Sequence, residues 1–379
     1  MQETALHIIA SDVPYPPNYG GAVDMFYKLK FLKEAGVKIH LHCFAYGRPE
    51  QKELNKYCAT VAYYPRKMGL AGISLSLPYM MYSRRSDDLL KDLQKTEAPI
   101  LFEGVHTAYY LNHPELQGRL KIMRNQNLEQ EYYALLGKKE KSWFRKLYYA
   151  IESKLLKAAE SRLSGAHAFF TVALHDYEFF KKLYPGKQHE YIPSFQPYTR
   201  VSSLPGKGHY LLYHGNLAHP ENEEAVLFLL KQIIPHINHQ VIIAGRMPTA
   251  AISRAAANLA QVKLIADPDG EEMNRLIAEA QVHVLPTFQA TGLKLKLLHA
   301  LFQGRHVIAN QEMLTGTGLS SVCNEVNAAA EWIAQINEKM QEAFLPEEIT
   351  RRQDLLKLHY DNRKNAERIR SFLIASHPE

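Results

Sequence analysis

The sequence predicts an α/β protein built on two parallel sheets. Short β-rich apolar runs alternate with stretches of helical period, this alternation occurs twice, and a segment rich in Pro, Ser and Gly separates the two sets. A chain of 379 residues, 46% hydrophobic and 22% charged, is ordinary globular material. It is also too long for a single core, so two domains are the expected arrangement.

In the first set the strands read LHIIAS, KIHLHCF, TVAYY, PILFE, LKIMR and AFFTV, with helices between them. The first helix is expected to start near Gly21 and to present Met25, Leu29 and Leu32 on one face, with Gly36 ending it. The second set reads YLLYHG, QVIIAG, VKLIA, VHVLP and HVIAN. Between them, SFQPYTRVSSLPGKGH (194–209) lacks apolar periodicity and reads as a linker. The domains are therefore expected at 1–204 and 205–361. The amphipathic stretch within 362–379 is expected to pack back on the first domain as a C-terminal helix.

Three cysteines, Cys43, Cys58 and Cys323, lie far apart, which argues against a disulfide framework and a zinc cluster and suits a reducing cytoplasm. The first residues, MQETALHIIASDVPYPP, lack the basic start and long apolar core of a secretion signal. The longest apolar run, AFFTVAL, falls well short of the roughly 20 residues a bilayer crossing needs. A net charge of +6 suits an anionic partner: a phosphorylated ligand, a phospholipid surface or nucleic acid. Basic and aromatic residues interleave at 67–85 and 137–149, which read either as solvated loops and a helix face or as a peripheral membrane contact. With no continuous basic stripe and no base-reading motif, nucleic acid is excluded.

In open α/β sheets ligands bind beyond the carboxyl ends of the strands, so the loops after strands are the candidate sites. After the first strand, SDVPYPPNYGG brings Gly20 and Gly21 to a helix start, where backbone N–H groups can approach an anion or simply make a tight turn. It matches neither the dinucleotide fingerprint nor the P-loop. After PILFE, Glu103 and His106 are close enough to share a site as proton carriers, or to serve packing and capping. In RNQNLEQEYY, Arg124, Asn127 and Glu129 offer the dense donors and acceptors that sugar hydroxyls require. The same segment also reads as a helix capped by Asn127. In LPTFQATGLKLKLLHALFQG, Gly292 opens a helix whose first turn carries Lys294 and Lys296. Cations there oppose the helix dipole, so an anionic ligand is expected to offset them. The glycine-rich turn LTGTGL could close over the same ligand. Gly215 and Asn216 in HGNLAHPEN could lie near phosphates. Arg246 in IAGRMP could pair with a diphosphate or anchor a loop.

Together these segments resemble the retaining GT-B glycosyltransferases of family 4, the group 1 class, over nearly the whole chain. RNQNLEQEYY is similar to that family's R-x-H-N-x-E-x-x-Y-Y, and TGLKLKLLHALFQGRHVIAN to its G-T-G-x-K-x-K-x-L-E-A-x-A-x-G-x-P-V-V-A. The resemblance implies two Rossmann-like domains facing across a cleft, and a hexosyl transfer from a nucleoside-diphosphate sugar with retention. The acceptor would be a glycan, a lipid-linked glycan or a small molecule, and no cofactor or metal is needed. It implies His106 near the transferred sugar, Arg246 with Lys294 or Lys296 on the diphosphate, and Gly20 and Gly21 near the diphosphate or acceptor. The cysteine pattern and the basic-aromatic stretches suit work in the cytoplasm, including at the inner membrane face. The sequence departs from the family where an E-x7-E pair falls on Thr291 and His299 and a histidine becomes Gln126. His299 can still accept one hydrogen bond from the nucleotide. The alternative is a catalytically impaired GT-B protein with a binding or regulatory role.

Overall fold

The computed structural model describes residues 4–289 and 294–376. They form two compact units, 4–197 with 360–376, and 198–289 with 294–359. In the first, β1 (Thr4–Ala10), β2 (Val37–Ala45), β3 (Thr60–Pro65), β4 (Ile100–Glu103), β5 (Lys121–Asn125), β6 (Ala168–Thr171) and β7 (Gln188–Tyr191) lie in the order β3-β2-β1-β4-β5-β6-β7. In the second, β8 (Leu211–Asn216), β9 (Val241–Arg246), β10 (Val262–Ala266), β11 (Val282–Leu285), β12 (His306–Ala309) and β13 (Asn324–Glu325) lie in the order β10-β9-β8-β11-β12-β13. All strand pairs are parallel, so within each unit the carboxyl ends share one edge. The strand order reverses between β1 and β4 and again between β8 and β11, the two places where this architecture opens a crevice.

The helices bordering the sites are α1 (Gly20–Glu34), α2 (Tyr79–Tyr82), α3 (Glu129–Lys139), α4 (Trp143–Glu160), α5 (Leu174–Leu183), α6 (Pro220–Phe228), α7 (Leu295–Gln303) and α8 (Asn362–Ala375). Strand β1 is buried on both faces: Leu6, Ile8 and Ala10 enter one core and Ile9 the other, as a central parallel strand must. The first core takes Met25, Leu29 and Leu32 from α1 and Ala366, Ile369 and Leu373 from α8, so the C-terminal helix belongs to the first unit. Gly36 follows α1 with φ +84° and donates its N–H to the Lys33 carbonyl, the left-handed stop that glycine supplies without a Cβ penalty. Strand β7, QHEY, has no apolar run and escaped the pattern reading. Asn127 does not cap α3. That position is Leu128, and the free N–H groups of Glu129 and Gln130 are taken by Glu160 Oε1 of α4, at 2.9 and 3.4 Å. No helix among the described residues is long and apolar enough to cross a membrane.

Beneath the carboxyl edge of the first sheet lies a buried set of two carboxylates and two cations. Asp24 and Lys28 stand one turn apart on α1, Glu103 ends β4 and Arg124 lies in β5. Asp24 accepts both arms of the Arg124 guanidinium, at 2.5 and 2.9 Å, and the Phe195 N–H at 2.7 Å. Lys28 pairs with Glu103, which also lies 3.6 Å from Arg124. Burial pushes the Asp24 carboxyl up, but Arg124 and Lys28 outweigh it and hold it below the ordinary carboxylate range. Removing one member leaves an uncompensated buried charge, so Asp24→Asn is expected to cost about 3 to 5 kcal/mol. The charge-balanced pair Asp24→Leu with Arg124→Met should lose distinctly less. Urea unfolding followed by circular dichroism checks this, and equal losses in the two variants would refute the charge argument.

Candidate active site

Beyond β1, β4 and β5 the first unit holds a cavity of about 120 Å³. Its walls are the loop after β1 (Ser11, Asp12, Pro14), the start of α1 (Gly21, Ala22, Met25), and the loops after β4 (Gly104, His106) and β5 (Gln126, Glu129), with Glu103 lining it too. Two glycines shape it. A Cβ on Gly21 would sit 3.2 Å from the Tyr19 ring and 3.4 Å from Gln126 Oε1. At Gly104, φ is +74° and a Cβ would lie 3.0 Å from His106 Nδ1, so glycine lets that imidazole turn inward. On the opposite wall, Tyr19 donates its hydroxyl to Asp12 at 2.9 Å.

His106 Nε2 lies 3.8 Å from Glu129 Oε2. Burial, with Arg84 and Arg66 nearby, lowers the His106 imidazole to about 3, so it is neutral near pH 7. Burial raises the Glu129 carboxyl to about 7, reinforced by Asp176 on α5 and opposed by a hydrogen bond from Asn127. Behind it, burial raises Glu160 to about 8 and Asp176 to about 7. The pocket therefore presents a neutral imidazole beside a carboxyl able to give or take a proton near neutrality.

In the second unit, Gly215 and Asn216 at the end of β8 pair in register with Gly245 and Arg246 of β9. A Cβ on Gly245 would strike the Gly215 carbonyl, so glycine is what permits this approach. Asn216 and Arg246 are exposed at the sheet edge. Lys294 caps α7 and Lys296 lies in its first turn. Lys294 Nζ sits 3.1 Å from Glu221 at the start of α6, and the Thr287 hydroxyl donates to the same Glu221 oxygen at 2.6 Å. Lys296 donates to Asn222 Oδ1 at 2.5 Å and to the Tyr213 hydroxyl at 3.0 Å. Burial lowers Lys296 to about 8, opposed by Glu221 and assisted by Lys294. Two lysines share one carboxylate here, which leaves an excess positive charge at two helix starts, a setting suited to an anion. Further along α7, the His299 ring lies 5.1 Å from Tyr198 and 5.5 Å from His214, with Nε2 near Gln303 and Asn274, and burial lowers it to about 4.

The structure thus brings His106, Glu129 and Gly21 to one cavity, and Lys294 and Lys296 to one cluster with Glu221. Gly20 is exposed at the α1 start and does not line the cavity. Arg124 is corrected from a sugar ligand to a structural cation, because it is fully buried with both arms on Asp24. Glu103 lines the cavity, yet its carboxylate is committed to Lys28 and Arg124, which removes it as a free proton carrier. Asn127 serves Glu129. Thr291 and Gly292 lie outside the described residues. Sequence reasoning missed Glu221, Asn222 and Tyr213, whose roles depend on α6 and α7 meeting. It also missed Asp24 and Lys28, which a pair of charges on the apolar side of α1 could have signalled. Among the described residues, no group of His, Cys, Asp or Glu has the arrangement to hold a metal ion.

The Glu129 shift has a definite sign. A carboxyl titrating near 4.5 when unfolded and about 7 when folded leaves the folded state with more bound protons in between, so its contribution to stability falls as pH rises through that window. Glu129→Gln should match the unmodified protein near pH ~5 and exceed it by up to about 3 kcal/mol near pH ~8. Denaturant unfolding at both pH values tests this, and a constant difference would place the titration elsewhere.

The family model for glycosyl transferases group 1 matches residues 208–341. A Klebsiella pneumoniae protein described as an uncharacterized 44.6 kDa protein in the cps region is 24% identical over 331 residues, covering 82% of this chain and 84% of that one. Sucrose-phosphate synthase from Thermosynechococcus elongatus superposes with a TM-score of 0.70 at 14% identity, covering 99% of this chain and 100% of that one. HepE from Anabaena, solved with UDP and glucose, superposes at 0.66 and 11% identity over 98% of this chain and all of that one. TarM superposes at 0.68 and 8% identity over 98% of this chain and 99% of that one. The two units thus have the GT-B fold of these structures, and the family model for glycosyl transferases group 1 falls on the second unit.

Proposed function

We propose that the protein transfers a hexosyl group from a nucleoside-diphosphate sugar to a hydroxyl of a glycan, lipid-linked or small-molecule acceptor, with retention at the anomeric carbon. The observation that carries this reading is the cluster of Lys294 and Lys296 with Glu221, Asn222 and Tyr213. A diphosphate brought to it meets two cations already oriented by neighbours, so little reorganisation is needed as charge grows on the leaving group. Arg246 adds a guanidinium, Gly215 and Asn216 line the phosphate approach, and His299 accepts from the nucleotide. Basic side chains and helix N-termini take the place of a metal or other cofactor. In the first unit the His106 imidazole holds a sugar hydroxyl, while Glu129 with Gln126 orients the acceptor. The neighbour solved with UDP and glucose supports a nucleotide-sugar donor, and the relative in a cps region supports a place in polysaccharide biosynthesis.

A second reading, donor binding without turnover, draws on His299 standing where the resembled family carries a carboxylate. Thermal unfolding against UDP, GDP, ADP and CMP and their sugars tests the donor site. One nucleotide should raise the transition, because a ligand at a hundred times its Kd stabilises the folded state by about 2.7 kcal/mol, and Lys294→Ala should abolish the rise. No shift at millimolar concentration would overturn the donor reading. A shift without release of free nucleotide in the presence of any acceptor would favour binding alone.

A further inference from the structure

Helices α3 and α4 pack as a hairpin, and α4 turns Glu152, Leu156, Ala159 and Glu160 inward. Its first two and a half turns carry Trp143, Phe144, Leu147 and Ile151 at i, i+1, i+4 and i+8, a single apolar stripe that faces solvent. Trp143 is 64% exposed and Phe144 66%, with their rings stacked at 3.5 Å. A second apolar segment precedes α2, where Met68 and Ile73 are exposed, Leu70 is 87% exposed and Leu75 98%. The two are tied together. Glu152 of α4 accepts the N–H groups of Tyr79 and Met80 at 3.0 and 2.9 Å, and the Tyr79 hydroxyl accepts the Gly69 N–H at 3.2 Å. Stretch 66–85 contains no acidic residue, and 137–149 has only Glu140 against five Lys and Arg.

Large apolar side chains this open on an isolated chain mark an interaction surface. The surrounding charge selects the partner. Protein interfaces are depleted in lysine at their cores, and a second copy of this face would set like charge against like. An amphipathic helix with Trp and Phe on one side and Lys and Arg beside them suits an anionic bilayer, where rings enter the headgroup layer and cations meet lipid phosphates. We propose that this face docks the protein on an anionic lipid surface through Trp143, Phe144, Leu147, Leu70 and Leu75, with Lys141, Arg145 and Lys146 facing the phosphates. Glu129 opens the helix whose far end enters this hairpin, so the cavity lies about 15 Å of helix from the docked end. That a lipid-linked acceptor is delivered there rests on the proposed transferase reading. The docking itself does not.

The full chain is mixed with vesicles of phosphatidylcholine alone or with an equal part of phosphatidylglycerol. Trp143 is its own reporter, since the second of the two tryptophans, Trp332, is buried. Sedimentation with the anionic vesicles and a blue shift of Trp143 emission are expected, both weakening as salt rises. The variant Trp143→Ser/Phe144→Ser and the charge reversal Arg145→Glu/Lys146→Glu should each lower binding at least tenfold, with circular dichroism and the nucleotide-induced thermal shift unchanged. No binding to anionic vesicles, or equal binding by the variants, would overturn the proposal. So would light scattering that finds a dimer dissociated by the Trp143→Ser/Phe144→Ser variant, which would assign the face to a second copy. Loss of the nucleotide shift with docking intact would count against the donor reading alone.

Discussion

The first unit depends on the buried charge set of Asp24, Lys28, Glu103 and Arg124. Four acidic and basic side chains withdrawn from water are tolerated because each faces a partner of opposite type and Asp24 takes a backbone N–H besides. The arrangement fixes α1 against the ends of β4 and β5 at the strand-order reversal. Most of the cavity beyond the β1 loop hangs from those three elements: Gly21 on α1, Gly104 and His106 just past β4, Gln126 and Glu129 just past β5. Gln126 belongs to both layers, since its amide also donates to Asp24 at 3.1 Å.

The two units solve different electrostatic problems at the same place in a parallel sheet. In the first, burial dominates: it neutralises His106 and keeps protons on Glu129, Glu160 and Asp176 near neutrality. A site of nearly uncharged donors and acceptors suits neutral hydroxyls. In the second, Glu221 stays ionised because Lys294 and Lys296 outweigh its burial, and the lysines keep an excess positive charge for an anion. On the proposed reading, hydroxyl recognition and diphosphate recognition are divided between the units accordingly.

The hairpin of α3 and α4 serves two environments. Its inner residues close the cavity side, where Glu160 takes the free N–H groups of α3. Its outer turns leave Trp143 and Phe144 in water, a placement that the folding of the unit alone does not explain.

The sequence by itself determined the alternation of strands and helices, the two-sheet architecture, the stop at Gly36 and the loops in which the candidate sites lie. These follow from short-range rules: apolar period, glycine's access to positive φ, and the carboxyl-edge position of loops in parallel sheets. Strand β7 escaped because QHEY carries no apolar signal and forms only by pairing with β6. What tertiary structure decided was the use of each polar residue. Arg124 and Glu129 lie five residues apart in one motif, yet one is locked to Asp24 a hundred residues away and the other opens to a cavity. Nor does local sequence say that Lys296 meets Asn222, or that Glu160 rather than Asn127 satisfies the start of α3. Burial and charge pairing are set by residues distant in the chain, so the chemistry of a titratable group is fixed only when the fold has chosen its neighbours.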